Sequence, residues 1–174
     1  MKASVFVGVS VDGFMARLDG GLDFLPADGG EPHGYDEFMS TVDALVIGRK
    51  TYETVLGFGG WAYAEKPVFV LSSHELAPPP AGAIARHMAG EPRDIVAKLS
   101  ELGIGHIYVD GGATIQGFLR AGLIQRLVIT RVPVLIGAGI PLFATLERDI
   151  RLRHVATRSY ASGLVQTEYE VLAG

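Results

Sequence analysis

The chain has 174 residues, of which 48% are hydrophobic and 20% charged, with a formal net charge of −4 at pH 7. This composition is typical of a globular domain rather than a disordered chain. The negative charge and the scattered Lys and Arg residues argue against a nucleic-acid partner. The chain has no cysteine and its five histidines lie far apart, so disulfides and thiolate sites are excluded and we expect no metal site.

No segment has the pattern of a membrane span or a cleaved leader. The longest uncharged run, residues 132–146, is too short for a bilayer and contains prolines and glycines. The apolar stretch after Lys2 runs directly into Asp12 and Gly13 without a convincing cleavage site, which favours a first strand. We therefore expect one cytoplasmic domain over residues 1–174, without membrane contact.

The first half of the chain predicts alternating strands and short helices. Apolar residues at i, i+3, i+4 and i+7 from Tyr35 to Val42 indicate a helix, and Gly57 is expected to close the next helix in the left-handed conformation. The predicted elements are a strand at 4–9, a loop rich in Gly and Asp to residue 34, a helix at 35–42, a strand at 44–47, a helix at 51–56 and a strand at 67–71.

The second half continues this alternation and then changes in kind. Its predicted elements are a helix at 92–102, a strand at 107–109, a helix at 114–120, a strand at 127–134 and a hairpin of 150–160 with 165–171. Val165, Thr167, Tyr169 and Val171 alternate with polar residues, which is typical of a half-exposed antiparallel strand. The sequence therefore predicts a three-layer α/β/α fold, with a mostly parallel sheet and an antiparallel C-terminal hairpin.

Open α/β sheets bind ligands at the carboxyl ends of their strands, where helix N-termini offer free N–H groups. The loops at these ends are residues 10–16, 48–51, 71–73 and 110–114. Gly111 and Gly112 would let a pyrophosphate approach the backbone, and Thr114 could add a hydroxyl. A Gly-Gly turn before a helix is also common for structural reasons alone.

The segment Gly48-Arg49-Lys50-Thr51 places two cations and a hydroxyl on a first helical turn. There the helix dipole disfavours positive charge by about 0.3–1 kcal/mol per residue. An anionic ligand would pair with the two cations and so offset that cost. The alternative is that both cations are solvated at the surface. Ser72 and Ser73 could likewise donate hydroxyls to a phosphate or merely cap their loop.

In combination, these segments resemble the dihydrofolate reductase superfamily. The resemblance rests on Ser-Val-Asp-Gly at 10–13, Val-Ile-Gly-Arg-Lys-Thr-Tyr-Glu at 46–53, Val-Leu-Ser-Ser at 70–73 and Val-Asp-Gly-Gly at 109–112. The chain is most similar to stand-alone relatives of the reductase domain of the bifunctional riboflavin-biosynthesis deaminase-reductase. This resemblance implies NADPH-dependent reduction of a small heterocycle of pteridine or aminopyrimidine type, as in 5-amino-6-(5-phosphoribosylamino)uracil reductase.

The resemblance also implies site residues. Arg49 matches the contact to the 2′-phosphate of the cofactor, and cationic and hydroxyl partners there favour NADPH over NADH. The implied cofactor contacts are Val9, Gly48, Arg49, Lys50, Thr51, Leu71, Ser72, Ser73, Asp110, Gly111, Gly112, Ala113 and Thr114. Asp12 and Asp36 are the candidate catalytic contacts to the substrate, although spacing does not decide between Asp36 and Glu37.

The sequence also departs from dihydrofolate reductases proper. Asp110 stands where those enzymes usually have the first of three glycines, and Ala113 replaces a frequent arginine. Two alternatives stay open: a dihydrofolate reductase proper, or an NADP-binding dimeric protein without turnover. We expect a homodimer, to which the apolar residues 133–143 could contribute. Residues 137–139 imitate a dinucleotide fingerprint, but Leu142 replaces its third glycine, so we interpret them as a bend.

Overall fold

The computed structural model describes residues 1–26 and 31–173; residues 27–30 of the predicted loop lie outside the described residues, as does residue 174. The strands are β1 (Lys2–Ser10), β2 (Phe14–Ala16), β3 (Ala44–Gly48), β4 (Val68–Leu71), β5 (Ala85–Met88), β6 (His106–Asp110), β7 (Arg126–Val132), β8 (Ile140–Pro141), β9 (Leu152–Ser159) and β10 (Val165–Val171). The helices are α1 (Tyr35–Ser40), α2 (Arg49–Leu56), α3 (Pro92–Glu101) and α4 (Gly112–Arg120).

One mixed sheet of eight strands has the order β5-β4-β3-β6-β1-β7-β10-β9. The six strands from β5 to β7 pair in parallel, whereas β10 is antiparallel to both β7 and β9. The predicted mostly parallel sheet with an antiparallel C-terminal hairpin is therefore confirmed. Because the six strands are parallel, their carboxyl ends all lie along one edge of the sheet.

Helices cover both faces of this sheet, as the three-layer prediction requires. Val5 of β1 packs with Ile95 and Ile115 of α3 and α4 on one face. Phe6 points to the opposite face and packs in the cluster that contains Tyr52 of α2. Each fully buried aliphatic or aromatic side chain contributes about 1.5–3 kcal/mol, so the continuous apolar run of β1 stabilises both layers.

The structure contains three short strands that the sequence analysis did not predict. β5 is a parallel edge strand beside β4, and β2 pairs with β8 in a separate two-stranded sheet. The prediction of a left-handed cap at Gly57 is wrong, because Gly57 has φ −75° and its N–H still bonds the carbonyl oxygens of Glu53 and Thr54. The first residue after this helix with a positive φ is Gly59, at 75°.

The segment after β7 folds back onto the domain. Residues 137–139 form a bend before β8, as predicted. Leu142 is 2% exposed in the core, whereas Leu135 and Phe143 are 70% and 48% exposed. Part of the apolar surface of residues 133–143 is therefore buried within the chain itself. The homodimer stays a prediction. Among the described residues, no helix is long and apolar enough to cross a membrane.

Candidate active site

The N-termini of α2 and α4 meet at the carboxyl edge of the sheet. They follow β3 and β6, which are adjacent parallel strands. A Cβ on Gly48 would lie 2.9 Å from the Oγ1 atom of Thr114, and a Cβ on Gly111 would overlap the Oγ1 atom of Thr51. The first turn of each helix therefore packs against the glycine that precedes the other helix. The free N–H groups and positive dipole ends of two helices converge here, which suits an anion.

Gly111 has a backbone conformation that only glycine adopts readily. As the N-cap of α4 it has φ 94°, which costs other residues about 1–2 kcal/mol. Gly112 is covered by the segment after β7, because a Cβ there would lie 3.1 Å from Ile140 and 3.5 Å from the carbonyl oxygen of Pro141. The predicted turn around a pyrophosphate has the required tight geometry, and its ligand stays a prediction.

The predicted 2′-phosphate corner lies one strand away. Leu71 at the end of β4 pairs with Gly48, so Ser72 and Ser73 follow directly beside the first turn of α2. Arg49 and Lys50 are exposed in that turn, and the Nη1 atom of Arg49 lies 3.0 Å from a carboxylate oxygen of Glu53. The structure thus brings the predicted cationic and hydroxyl side chains to one corner, where Arg49 is already paired.

Asp110 lies in a cluster that the sequence analysis missed. By strand alternation its side chain shares the face of Tyr108, which packs in the core cluster under α1 and α2. One carboxylate oxygen of Asp110 accepts the Gly111 N–H at 2.7 Å. Burial raises the pKa of Asp110 to about 6, although the hydrogen bond from the Gly111 N–H acts in the opposite direction. A carboxyl with this pKa can carry a proton near neutral pH.

Two further tyrosines complete this cluster. Burial, and then the negative charge of Asp110, raise the pKa of Tyr35 to about 12. The same two causes raise the pKa of Tyr63, which is buried in the loop after α2. The hydroxyl of Tyr108 donates to the Phe6 carbonyl oxygen at 2.7 Å. These phenols come from separate segments, so no local sequence pattern indicates that they surround Asp110.

The two predicted catalytic aspartates have different surroundings. Asp12 accepts the N–H groups of Ile136 and Gly137 at 3.3 and 2.8 Å. A hydrogen bond from Ser10 is the main cause that lowers the pKa of Asp12, so its carboxylate is ionised and joins the first loop to the segment after β7. Asp36 is exposed in the first turn of α1, beside the tyrosine cluster. The structure therefore leaves Asp36 accessible and gives Asp12 a bridging contact.

Leu25 packs over Gly8 at the carboxyl end of β1, on the face of the sheet that carries Asp110. Gly8 lies opposite Thr130 of β7, on the same face as Phe6, and a Cβ on Gly8 would lie 2.9 Å from Leu25. The side-chain amide of Gln166 donates to Thr130 Oγ1 at 3.0 Å and to the carbonyl oxygen of His33 at 2.9 Å. Leu25 thus covers Gly8, next to the hydrogen-bonded pair of Thr130 and Gln166.

A cavity of about 200 Å³ lies on the same face, between α1 and the C-terminal hairpin. Phe6 and Phe38 line it, together with Arg126 and Glu168, whose side chains form an ion pair at 2.7 Å. Arg126 also lies over the Phe38 ring at 5.7 Å. Because β7 begins at Arg126, this cavity extends toward the amino ends of the strands, away from the helix N-termini, and we do not assign it to the cofactor.

The parallel sheet and the paired helix N-termini define a dihydrofolate-reductase-like domain. The dihydrofolate reductase of Enterococcus faecalis, solved with NADP(H), superposes with a TM-score of 0.63 at 16% identity, covering 98% of this chain and 94% of that one. The sequence model of the RibD C-terminal domain family matches residues 2–166. This chain therefore belongs to the RibD C-terminal domain family, as the resemblance implied.

Two relatives match over almost their whole length. The uncharacterized protein YwjB of Bacillus subtilis is 32% identical, and the match covers 97% of each chain. A protein of Shewanella sp. PV-4, provisionally named for riboflavin biosynthesis, superposes with a TM-score of 0.91 at 38% identity, covering 99% of this chain and 100% of that one. This chain is thus similar in length to both relatives.

Proposed function

We propose that this protein is an NADPH-dependent reductase of a small heterocyclic substrate of the aminopyrimidine class. The convergence of the α2 and α4 N-termini across Gly48 and Gly111 carries the proposal, because it offers two dipole ends to one pyrophosphate. Membership of the RibD C-terminal domain family supports a reductase, and the NADP(H) complex of a protein with the same fold supports the cofactor.

The residues at the carboxyl edge of the sheet fit successive parts of the cofactor. Thr51 and Thr114 would add hydroxyls at the pyrophosphate, and Arg49, Ser72 and Ser73 would hold the 2′-phosphate. Residues 9–15 would form the wall beside the nicotinamide. The cofactor supplies the hydride, from C4 of its nicotinamide ring. The protein then has to orient the acceptor carbon, exclude water and supply a proton.

We assign the proton-donor role to Asp110. Reduction of a carbonyl or imine adds a hydride to carbon and a proton to oxygen or nitrogen, so a protonated group must lie near the acceptor. Asp110 stands one strand from β1, and burial raises its pKa to about 6, so part of its population is protonated near neutral pH. We place the substrate ring at the carboxyl end of β1, next to the strand that Asp110 ends.

The test compares the two nicotinamide cofactors. Arg49→Ala should weaken NADPH binding about 10- to 100-fold, the range of one charge-assisted hydrogen bond, and leave NADH binding within about twofold. Arg120→Ala, at the opposite end of α4, is the matched control and should change neither. Equal losses for both cofactors in Arg49→Ala would remove Arg49 from the 2′-phosphate.

Turnover separates the remaining alternatives. Loss of reduced-nicotinamide absorbance should occur with an aminopyrimidine sugar phosphate and not with dihydrofolate. Rapid oxidation with dihydrofolate and tight antifolate binding would indicate a dihydrofolate reductase proper instead. Binding of NADPH without oxidation across a panel of pteridines and aminopyrimidines would indicate an NADP-binding protein without turnover.

A further inference from the structure

The edge strand β5 contacts the turn that follows β4. His87 of β5 lies opposite Val70, and its Nε2 atom is 2.6 Å from the carbonyl oxygen of Ser72. A carbonyl oxygen only accepts hydrogen bonds, so Nε2 of His87 must carry the proton. Since Val70 faces the layer of α1 and α2, the His87 side chain lies on the face of α2.

The turn itself is held by its own side chains. The Ser72 hydroxyl donates to the carbonyl oxygen of His74 at 2.8 Å and accepts the N–H of the same residue at 2.9 Å. The Ser73 hydroxyl is hydrogen-bonded to Nδ1 of His74 at 3.0 Å. The contact from His87 therefore adds to the backbone hydrogen bond from the Ser72 N–H to the Met88 carbonyl oxygen, at 3.2 Å, in fixing where this closed turn stands relative to the sheet edge.

We propose that His87 is a positioning residue for cofactor selectivity, which holds the Ser72–Ser73 turn beside the first turn of α2 so that this corner accepts a 2′-phosphate. This inference rests on the proposed NADPH site. Without the His87 contact, the exposed turn gains freedom that a bound phosphate must remove, and that ordering cost lowers the affinity. NADH carries a neutral 2′-hydroxyl in place of the phosphate, so its affinity depends much less on the turn.

The experiment titrates the full chain with NADPH and with NADH and follows nicotinamide fluorescence. His87→Leu should weaken NADPH about 3- to 10-fold, the range of one exposed hydrogen bond, with NADH changed less than about twofold. His87→Gln keeps an N–H donor at nearly the position of Nε2 and should restore NADPH affinity to within about twofold. Arg86→Leu, the neighbouring exposed residue of β5, is the matched control and should change neither cofactor.

The outcomes separate this inference from the proposed function. If the unaltered protein does not prefer NADPH over NADH, the proposed cofactor site fails and this inference fails with it. If that preference is present but His87→Leu keeps it, or weakens both cofactors equally, only the role of His87 is overturned. A His87→Gln variant as weak as His87→Leu would also overturn the hydrogen-bond mechanism. Thermal unfolding of each variant confirms that the compared proteins are folded.

Discussion

Replacing Asp110 by asparagine should stabilise the fold above pH 6 and remove most of the proposed activity. Asparagine is nearly isosteric, and its carbonyl oxygen can still accept the Gly111 N–H that bonds Asp110 at 2.7 Å. The substitution therefore removes the charge and the transferable proton while it keeps the local packing. Stability and activity should change in opposite directions, which is the trade-off expected of a buried functional carboxyl.

The stability change follows from the pKa of Asp110. Burial raises that pKa to about 6, against about 3.9 in an unfolded chain. Because the pKa of Asp110 is higher in the folded than in the unfolded state, its contribution to stability is fully present below about pH 4. This contribution is lost as the pH rises through about 6. Two pKa units correspond to about 2–3 kcal/mol, and partial exposure of the residue reduces this to about 2 kcal/mol.

Urea unfolding of both proteins between pH 4 and pH 8 measures this difference. The stability advantage of Asp110→Asn should be near zero at pH 4, should grow to about pH 6 and should then stay constant, raising the Tm by roughly 4–8 °C. Asp43→Asn is a control with the opposite sign, because the N–H groups of His106 and Gly105 lower the pKa of Asp43. An advantage of Asp110→Asn that does not vary with pH would refute the reasoning.

The activity of the same variant tests the chemistry. A general acid contributes about 10²- to 10⁴-fold to the rate, so Asp110→Asn should lose at least about 100-fold in kcat. Its affinity for NADPH should change little, because the carboxyl faces the tyrosine cluster and not the phosphate corner. A variant that keeps both affinity and kcat would show that the proton comes from another group.

Three other substitutions test the geometry of the edge. Gly111→Ala should destabilise the protein by roughly 2–4 kcal/mol in urea unfolding, because its Cβ overlaps Thr51 at a left-handed φ; wild-type stability would contradict this. Glu53→Gln should tighten NADPH about two- to fivefold at low salt by releasing Arg49 from its exposed ion pair, with weaker binding as the contrary result. Asp12→Asn should accelerate hydrogen exchange at the two amides that Asp12 binds, and unchanged exchange would contradict its bridging role.

The location of the site could be predicted from the sequence because it follows from topology. Apolar runs such as 4–9 and 44–47 identify parallel strands, and parallel strands end at one edge. The glycines and polar residues that follow those runs must then be neighbours. The structure places the α2 and α4 N-termini together in this way, although the sequence contains no direct evidence that β3 and β6 are adjacent.

Features that depend on distant contacts could not be predicted. β5 has the sequence Ala-Arg-His-Met, whose exposed polar residues at a sheet edge give no apolar period. β2 and β8 are short and pair across more than 100 residues, so neither has a local signal. The surroundings of Asp110 are of the same kind, because Tyr35 begins a helix and Tyr63 lies in a loop. Each of these features acquires its role only when the chain is folded.

The strand order also explains why the motifs occupy these loops. Adjacent strands lie about 4.8 Å apart, so the three spacings from β4 through β3 and β6 to β1 span about 14 Å. A dinucleotide lying across this edge would have its adenosine end at Ser72, its pyrophosphate between α2 and α4, and its nicotinamide beside β1. Asp110 ends the strand next to β1, and its side chain lies on the same face of the sheet as Phe6 and Gly8. Asp110 would then lie beside the nicotinamide ring, one strand away from β3. A change at the 2′-phosphate corner should therefore alter the affinity for the cofactor, whereas a change at Asp110 should alter the rate of reduction.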